Sequence, residues 1–317
     1  GNVSLATVIP NLVLKMNKLK LSGLMHLLIV YIVWGSTYLG IRVAVQEGSG
    51  FPPMIMSATR VFAGSLILVA LARFIQKQSL RLTKEEWVVL SVSGLALWWG
   101  GNGLVAIAEM TVPSGYAALI IACTPIWVAI IESVLDKKRP SVFLVISLLI
   151  GVAGIAVLNW PAIIAGNLND LRGLFLLIIA GLSWGAGSIY QKRKNIHTAP
   201  EISSAVQQFT GGIALLITSF IISEPTMNPV PSAWWAWGYL IIFGSVIAFT
   251  SFVKALKLLP PNVVFTYAFV NPVVAVILGF FILGEPITPW TFAGATLVII
   301  GVLGVFKEQK NGIPQYD

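Results

Sequence analysis

Ten times between residues 24 and 306 the chain passes through an apolar run of about 20 residues, the length a helix needs to cross the hydrocarbon core of a bilayer. The runs lie at roughly 24–45, 52–75, 87–109, 113–135, 140–159, 172–191, 201–223, 233–256, 260–284 and 287–306. A spanning segment must satisfy its own backbone hydrogen bonds, so it is a helix or part of a closed barrel, and the alternating pattern of barrel strands is missing. The expected fold is therefore an all-α integral membrane protein of ten transmembrane helices. Charged residues make up only 10% of the chain, against roughly 25% in an average soluble domain, which excludes a water-soluble fold. Prolines punctuate the short connections at Pro52, Pro53, Pro113, Pro140, Pro200, Pro231, Pro260, Pro261 and Pro286. They suit the first turn of a helix, where a missing N–H costs nothing.

The formal charge of +8 would fit a nucleic-acid partner, but its placement argues for topology instead. Seventeen of the 20 Lys and Arg fall on one side of a ten-span arrangement: before the first run, after the second, fourth, sixth and tenth, and at the end of the eighth. Positive charge marks the cytoplasmic face, so both termini are expected there. Val3 to Leu14 is too short to span and lacks a basic leader and an A-x-A-like site, so it is not read as a signal peptide. Residues 1–23 form an N-terminal extension, of which 1–15 is either foreign to the native chain or an interfacial segment, and 307–317 form a cytoplasmic tail. Cys123 stands alone, which excludes an intrachain disulfide. His26 and His197 belong to no ligand-like cluster, so neither a metal nor a cofactor is expected.

An internal repeat organises the runs. Trp34-Gly35-Ser36 in the first is answered 150 positions later by Trp184-Gly185-Ala186 in the sixth. Thr124-Pro125 in the fourth and Asn271-Pro272 in the ninth are 147 apart, as are Gly64 and Gly211, and Gly154 and Gly301. Two five-helix repeats follow, 24–159 and 172–306. An odd number of spans per repeat places the second upside down relative to the first. Inverted repeats of this kind recur in secondary transporters, where two halves rock about a site near the bilayer midplane.

Taken together these residues resemble the EamA-type members of the drug/metabolite transporter superfamily, from about residue 24 to 306. The resemblance is carried by Trp34-Gly35-Ser36-Thr37-Tyr38, Arg60, Gly101-Asn102-Gly103, Ala108-Glu109, Val112-Pro113-Ser114-Gly115 and Thr124-Pro125 in the first half. Ser183-Trp184-Gly185, Gly244-Ser245, Tyr267, Asn271-Pro272-Val273 and Gly284-Glu285 carry it in the second. It implies a carrier of the bacterial inner membrane, usually an exporter of metabolites, amino acids or foreign compounds.

Polar groups at membrane depth are costly, so each is a candidate site residue. Arg60 lies about 12 Å deep in the second run, at 1.5 Å per residue, and serves either as a structural clamp or as a ligand contact. Its counterpart in the repeat, Gln207, is polar but uncharged. Trp98, Asn102, Val105 and Glu109 share one helical face, with Asn102 between two glycines as a helix bridge or a substrate contact. Glu109 is a candidate gate or coupling group opposite Arg60. Trp34 with Tyr38, Trp184 with Ser188, and Tyr267 with Asn271 are pairs four apart, forming aromatic faces suited to amphiphilic or aromatic solutes, or to organic cations. Pro125 and Pro272 are expected to interrupt helix interiors as hinges. Trp234, Trp235 and Trp237 read as an interfacial belt, and Glu132 as a partner of Lys or Arg. The first half is expected to carry the polar chemistry and the second mostly shape.

The function expected is secondary transport of a small molecule across the lipid bilayer. The sequence has no GxxxxGK[ST] motif for nucleotide, and it leaves proton coupling and oligomeric state open. An enzyme acting on lipid-linked substrates is the alternative, though HExxH and GxSxG are missing and no catalytic residue is assigned. A channel is a further one, without a filter-like ring to support it.

Overall fold

The computed structural model describes residues 5–110, 117, 120–165, 171–226, 228–283 and 287–311. The expectations on Val112 to Gly115 and on Gly284 to Pro286 lie outside these residues. The described residues are helical throughout, with no strand.

The first helix, α1 (Leu5–Val45), starts well before its expected boundary, so the N-terminal extension continues the first span without a break. It is followed by α2 (Pro53–Ala70) with a π-helical turn at Leu71–Ile75. Then come α3 (Lys84–Gly94), a π-helical stretch at Leu95–Gly103, and α4 (Leu104–Ala108) as one continuous rod. The first half ends with α5 (Thr124–Asp136), α6 (Val142–Leu158) and the short α7 (Trp160–Ala165). The second half opens with α8 (Leu171–Lys194) and α9 (Pro200–Ile221). A second rod follows, made of α10 (Pro231–Tyr239), a π-helical stretch at Leu240–Ala248, and α11 (Phe249–Leu258). The last elements are α12 (Pro261–Val264), α13 (Tyr267–Leu283) and α14 (Pro289–Asn311).

Among the described residues, eight helices are long and apolar enough to cross a membrane. The expected fourth and fifth spans are represented by α5, of 13 residues, and α6, of 17, which fall short of that length. The chain is a multi-pass membrane protein. Its outward surface carries large apolar side chains such as Leu66, Phe74, Val142 and Phe281, each about 70% exposed or more, a covering suited to hydrocarbon rather than water.

Local chemistry sets the helix starts. Pro53, Pro200, Pro231 and Pro261 each occupy a first turn. Thr83 and Glu86 close a capping box, in which Thr83 Oγ1 accepts from Glu86 N at 3.1 Å and Glu86 Oε2 accepts from Thr83 N at 2.7 Å. Ser141 Oγ accepts from Leu144 N at the start of α6.

Helix packing follows a reciprocal pattern. α1 lies against α11 and α13, while α8 lies against the Leu95–Gly103 stretch and α5. α2 packs on α9, and α6 on α14. Glycine permits the closest of these approaches. A Cβ at Gly154 would stand 2.7 Å from Val298 N, and one at Gly301 would stand 2.7 Å from Gly151 N, so both contacts are with the backbone of the facing helix.

Contacts also gather the helix ends into two sets. At the Lys- and Arg-rich end, Arg193 bridges Asp136 (2.8 Å) and Glu132 (3.7 Å), and Lys254 bridges Glu201 (2.6 Å). Thr198 donates to Glu86, Lys257 donates to the Thr198 carbonyl, and His26 Nδ1 meets Ser251 Oγ at 3.1 Å. At the opposite end, Arg42 donates to the Glu109 carbonyl (2.7 Å), and Glu224 accepts from the N–H groups of Met54 (2.8 Å) and Ile55 (2.9 Å).

Candidate functional site

Aromatic rings from both halves pack into one layer, and three of them, Trp34, Trp184 and Tyr267, also line a cavity. Trp34 meets Trp184 edge-on at 5.5 Å, Tyr267 edge-on at 5.0 Å and Phe252 at 5.2 Å. Phe249 and Phe252 stack beneath, with Leu27, Val30, Val253 and Leu256 completing one apolar cluster. Ring pairs at such separations add attraction beyond their buried area, so the layer is cohesive.

This cavity has a volume of about 80 Å³, enough for several waters or the head of a small solute. Both halves of the chain build it. α1 contributes Trp34, Thr37, Tyr38 and Ile41, α2 contributes Arg60, and the first rod contributes Trp98, Gly101, Asn102 and Val105. Ile121 and Thr124 come from the fourth segment, Ala180, Gly181 and Trp184 from α8, and Tyr267 and Asn271 from α13.

Arg60 is 2% exposed, with its Nε donating to Ser245 Oγ at 2.8 Å and its guanidinium 5.3 Å from the centre of the Trp98 ring. Its Nη1 has no hydrogen-bond partner, and among the described residues no carboxylate pairs with it. Gly244 makes room for it, since a Cβ there would stand 2.7 Å from Arg60 Nη2. Asn102 Oδ1 and Trp98 Nε1 are likewise buried without partners. Asn271, with its amide oriented to suit its neighbours, donates to the carbonyls of Tyr31 (3.0 Å) and Tyr267 (3.2 Å) and so ties α1 to α13. Trp34 Nε1 donates to the Gly244 carbonyl at 3.3 Å, joining α1 to the second π-helical stretch.

The expected stripe of Trp98, Asn102 and Val105 does face the cavity, although the backbone there is π-helical rather than α-helical. A π turn is wider than an α turn, and such turns concentrate at functional sites. Trp34, Tyr38, Arg60, Trp184, Tyr267 and Asn271 also converge as expected.

Four expectations differ. Gln207 does not line the cavity; it is fully buried between helices, its Nε2 donating to Gln191 Oε1 (2.7 Å) and Ser93 Oγ (2.9 Å). Ser188 is also buried away from it, its hydroxyl donating to the Trp184 carbonyl one turn back in α8. Glu109 forms no pair with Arg60. It is 0% exposed with both carboxylate oxygens unpartnered, and the nearby cation is Arg42, which donates to its backbone carbonyl. Pro125 interrupts no helix interior, because Ala122 and Cys123 form a turn and the proline sits in the first turn of α5. Pro272 does lie inside α13 and deprives the Ala268 carbonyl of its helical donor.

The belt reading fits Trp234 and Trp235, which are half exposed or more. Trp237 instead donates to Thr59 Oγ1 at 3.1 Å. Glu132 has the basic partner expected of it, Arg193. Thr37, Thr124 and Gly181 line the cavity without having been singled out as site residues. The first two carried a signal, since both lie inside the quoted Trp34–Tyr38 and Thr124-Pro125 motifs. Ser245, which anchors Arg60 across the halves, lies in the Gly244-Ser245 motif but gave no hint of its partner.

Comparison with known proteins places the chain. The model of the EamA-like transporter family matches residues 21–160 and 171–307. The uncharacterized inner membrane transporter YedA of Escherichia coli (strain K12) is 33% identical over 277 residues, covering 86% of this chain and 87% of that one. The uncharacterized transporter YoaV of Bacillus subtilis (strain 168) is 25% identical over 279 residues, covering 86% and 92%. One crystal structure is 19% identical and superposes with a TM-score of 0.72 over 92% of this chain and 98% of that one, a likeness of fold alone. By its family match and its identity to a named transporter over most of its length, the chain belongs to the EamA-like transporter family.

Proposed function

We propose that the chain is a secondary carrier of small metabolites, amino acids or amphiphilic and aromatic compounds, working by alternating access around the Arg60–Asn102–Trp184 cavity. The observation that carries this reading is a small, mainly apolar cavity with a few polar groups, walled by aromatic rings and built jointly by both halves of a multi-pass membrane protein. A ligand held at such a junction sees one side of the membrane or the other according to how the halves rock.

Two inverted five-helix repeats, 24–159 and 172–306, would supply those halves. Three features support that arrangement. The packing is reciprocal: α1 bears on α11 and α13 as α8 bears on the Leu95–Gly103 stretch and α5. π-Helical stretches of nine residues recur at Leu95–Gly103 and Leu240–Ala248. The turns after α2 and α9 both pass through a left-handed residue, Lys77 at φ 52° and Ser223 at φ 51°.

In this reading the basic end is cytoplasmic, both termini face the cytoplasm of a bacterial cell, and export is the direction the family resemblance implies. The aromatic layer and the Arg193 bridges to Asp136 and Glu132 would then close the cytoplasmic side.

Counterflow in proteoliposomes tests the proposal. Labelled solute should enter faster when unlabelled solute is inside, because a carrier returns more quickly loaded than empty. Uptake indifferent to internal solute would indicate a channel, and conversion of the solute would indicate an enzyme; either result removes the carrier reading.

A further inference from the structure

We infer that the cavity selects organic acids: its ligand presents a carboxylate to Arg60 and an apolar or aromatic body to the surrounding rings. This rests on the carrier reading for its purpose, but on separate observations for its chemistry.

Arg60 is the one formally charged side chain among the described residues that line the cavity. Burying a cation without a counter-ion costs several kcal/mol even after relaxation, so a charge kept there calls for a partner. The protein supplies only part of one. Ser245 Oγ accepts from Nε, and the Trp98 ring lies against the guanidinium, while Nη1 faces no acceptor. The ion pairs among the described residues are Arg193 with Glu132 and Asp136, and Lys254 with Glu201, all at the basic end and none reaching Arg60. A carboxylate is the group whose geometry matches a guanidinium edge, through parallel charge-assisted hydrogen bonds.

The same arrangement argues against a cationic ligand. Among the described residues no carboxylate lines the cavity, and Glu109, the acid nearest to it in sequence, is buried outside the lining. An aromatic cage for a cation needs open ring faces. Here the Trp98 ring is taken by Arg60, and Trp34 is already engaged by Trp184, Phe252 and Tyr267. These rings leave apolar walls for a flat or aliphatic body, and Asn102 Oδ1 offers a single acceptor to a donor on that body.

Three probes sharing one ring separate the charge states: phenylacetate, phenylacetamide and phenethylamine. Each is titrated against the full chain in lipid nanodiscs by quenching of its tryptophan fluorescence. Phenylacetate should bind at least about tenfold more tightly than the amide, as befits a charge-assisted pair in place of a neutral one, and the amine more weakly than both. Arg60→Gln should bring acid and amide to equal affinity, and an unfolding midpoint no lower than that of the unaltered chain shows that the variant is folded. Arg60→Lys should keep part of the preference, since it keeps the charge but loses the fork.

Equal binding of acid and amide to the unaltered chain would overturn the assignment. So would binding of none of the three, or a preference that survives Arg60→Gln. Counterflow separates this inference from the carrier reading. Acid-selective binding without trans-stimulated exchange keeps the Arg60 assignment and removes the carrier. Trans-stimulated exchange of amide and acid at equal rates keeps the carrier and removes the assignment.

Discussion

Positions 60 and 207 stand 147 residues apart in a chain whose motifs recur at that spacing, yet their side chains have opposite fates. Arg60 lies on the cavity wall with one nitrogen unpartnered, whereas Gln207 lies outside the lining, its Nε2 clamped between Ser93 and Gln191 and its Oε1 unpartnered. In the second half Gln208 donates to the Ser245 carbonyl, Glu201 takes Lys254, and Ser219 donates to Glu224, while Gln208 Oε1 and Trp184 Nε1 are unpartnered. Those of the first half that reach the cavity, Arg60 and Asn102, retain unpaired atoms. The expectation that one half carries chemistry and the other shape is therefore only partly right. Both halves are polar inside and both keep unpartnered buried atoms; what separates Arg60 from Gln207 is that the first lines the cavity and the second lies between helices away from it. An incompletely paired group on a cavity wall is within reach of a ligand, while one packed between helices serves the structure.

The largest test of this division concerns the glycines beside those positions. Gly64 and Gly211 are also 147 apart. A Cβ at Gly211 would stand 2.5 Å from Trp98 Cβ and 2.9 Å from the Gly94 carbonyl, both fixed close to the main chain. One at Gly64 would meet Gln208 Oε1 at 2.6 Å, the far end of a flexible side chain. Gly211→Ala should cost about 2–3 kcal/mol of stability, at the upper end of overpacking penalties, and Gly64→Ala less than about 1 kcal/mol. Equal losses in thermal unfolding of the detergent-solubilised variants would mean that the two halves meet more symmetrically than the contacts indicate.

Next in size is the direct exchange of roles. Gln207→Leu should cost about 1–2 kcal/mol, because Ser93 and Gln191 lose a shared buried partner, while selectivity among ligands is unchanged. Arg60→Met should do the reverse. Replacing a buried, incompletely paired charge with an apolar chain of similar length is neutral or stabilising, but the acid preference should vanish. Stability and ligand binding measured on both variants give a two-by-two pattern, and a loss of stability in Arg60→Met would turn Arg60 into a structural clamp.

How much of this was legible in the sequence follows from which physical signals are local. Hydropathy over 20 residues placed the helices well, because the bilayer's demand falls on each span separately. It placed the convergence of Trp34, Arg60, Asn102, Trp184 and Asn271 too, since a polar or aromatic residue in mid-span has few sites other than the interior. It did not separate Arg60 from Gln207. That difference depends on Ser93, Gln191 and Ser245, partners from other helices whose distances no spacing rule encodes. Pro125 and Pro272 show the same limit: the chain turns at Ala122 and Cys123 before the first and stays helical through the second, although their local sequences are alike.

The smallest effect concerns how the halves are joined at the end away from the basic residues. Glu224, beyond the end of α9, accepts from the N–H groups of Met54 and Ile55 and from Ser219 Oγ (2.7 Å), so a carboxylate from the second half caps the first turn of a first-half helix. Pro52 at the head of α2 has no side chain able to cap, which leaves those donors to a distant residue. Sequence offers no sign of it, since 170 residues separate Glu224 from Met54. Glu224→Gln keeps one acceptor oxygen but loses the charge that complements the helix dipole, and should cost about 0.5–1 kcal/mol. Glu224→Ala removes both oxygens and should cost about 1–2 kcal/mol, the range of a lost helix cap. If the halves rock apart at this end during transport, the cap is also a contact that must yield. Weakening it should then change the rate of exchange more than the affinity for ligand. An unchanged exchange rate in Glu224→Gln would mean that α2 and α9 move as one body and that the rocking surface lies elsewhere.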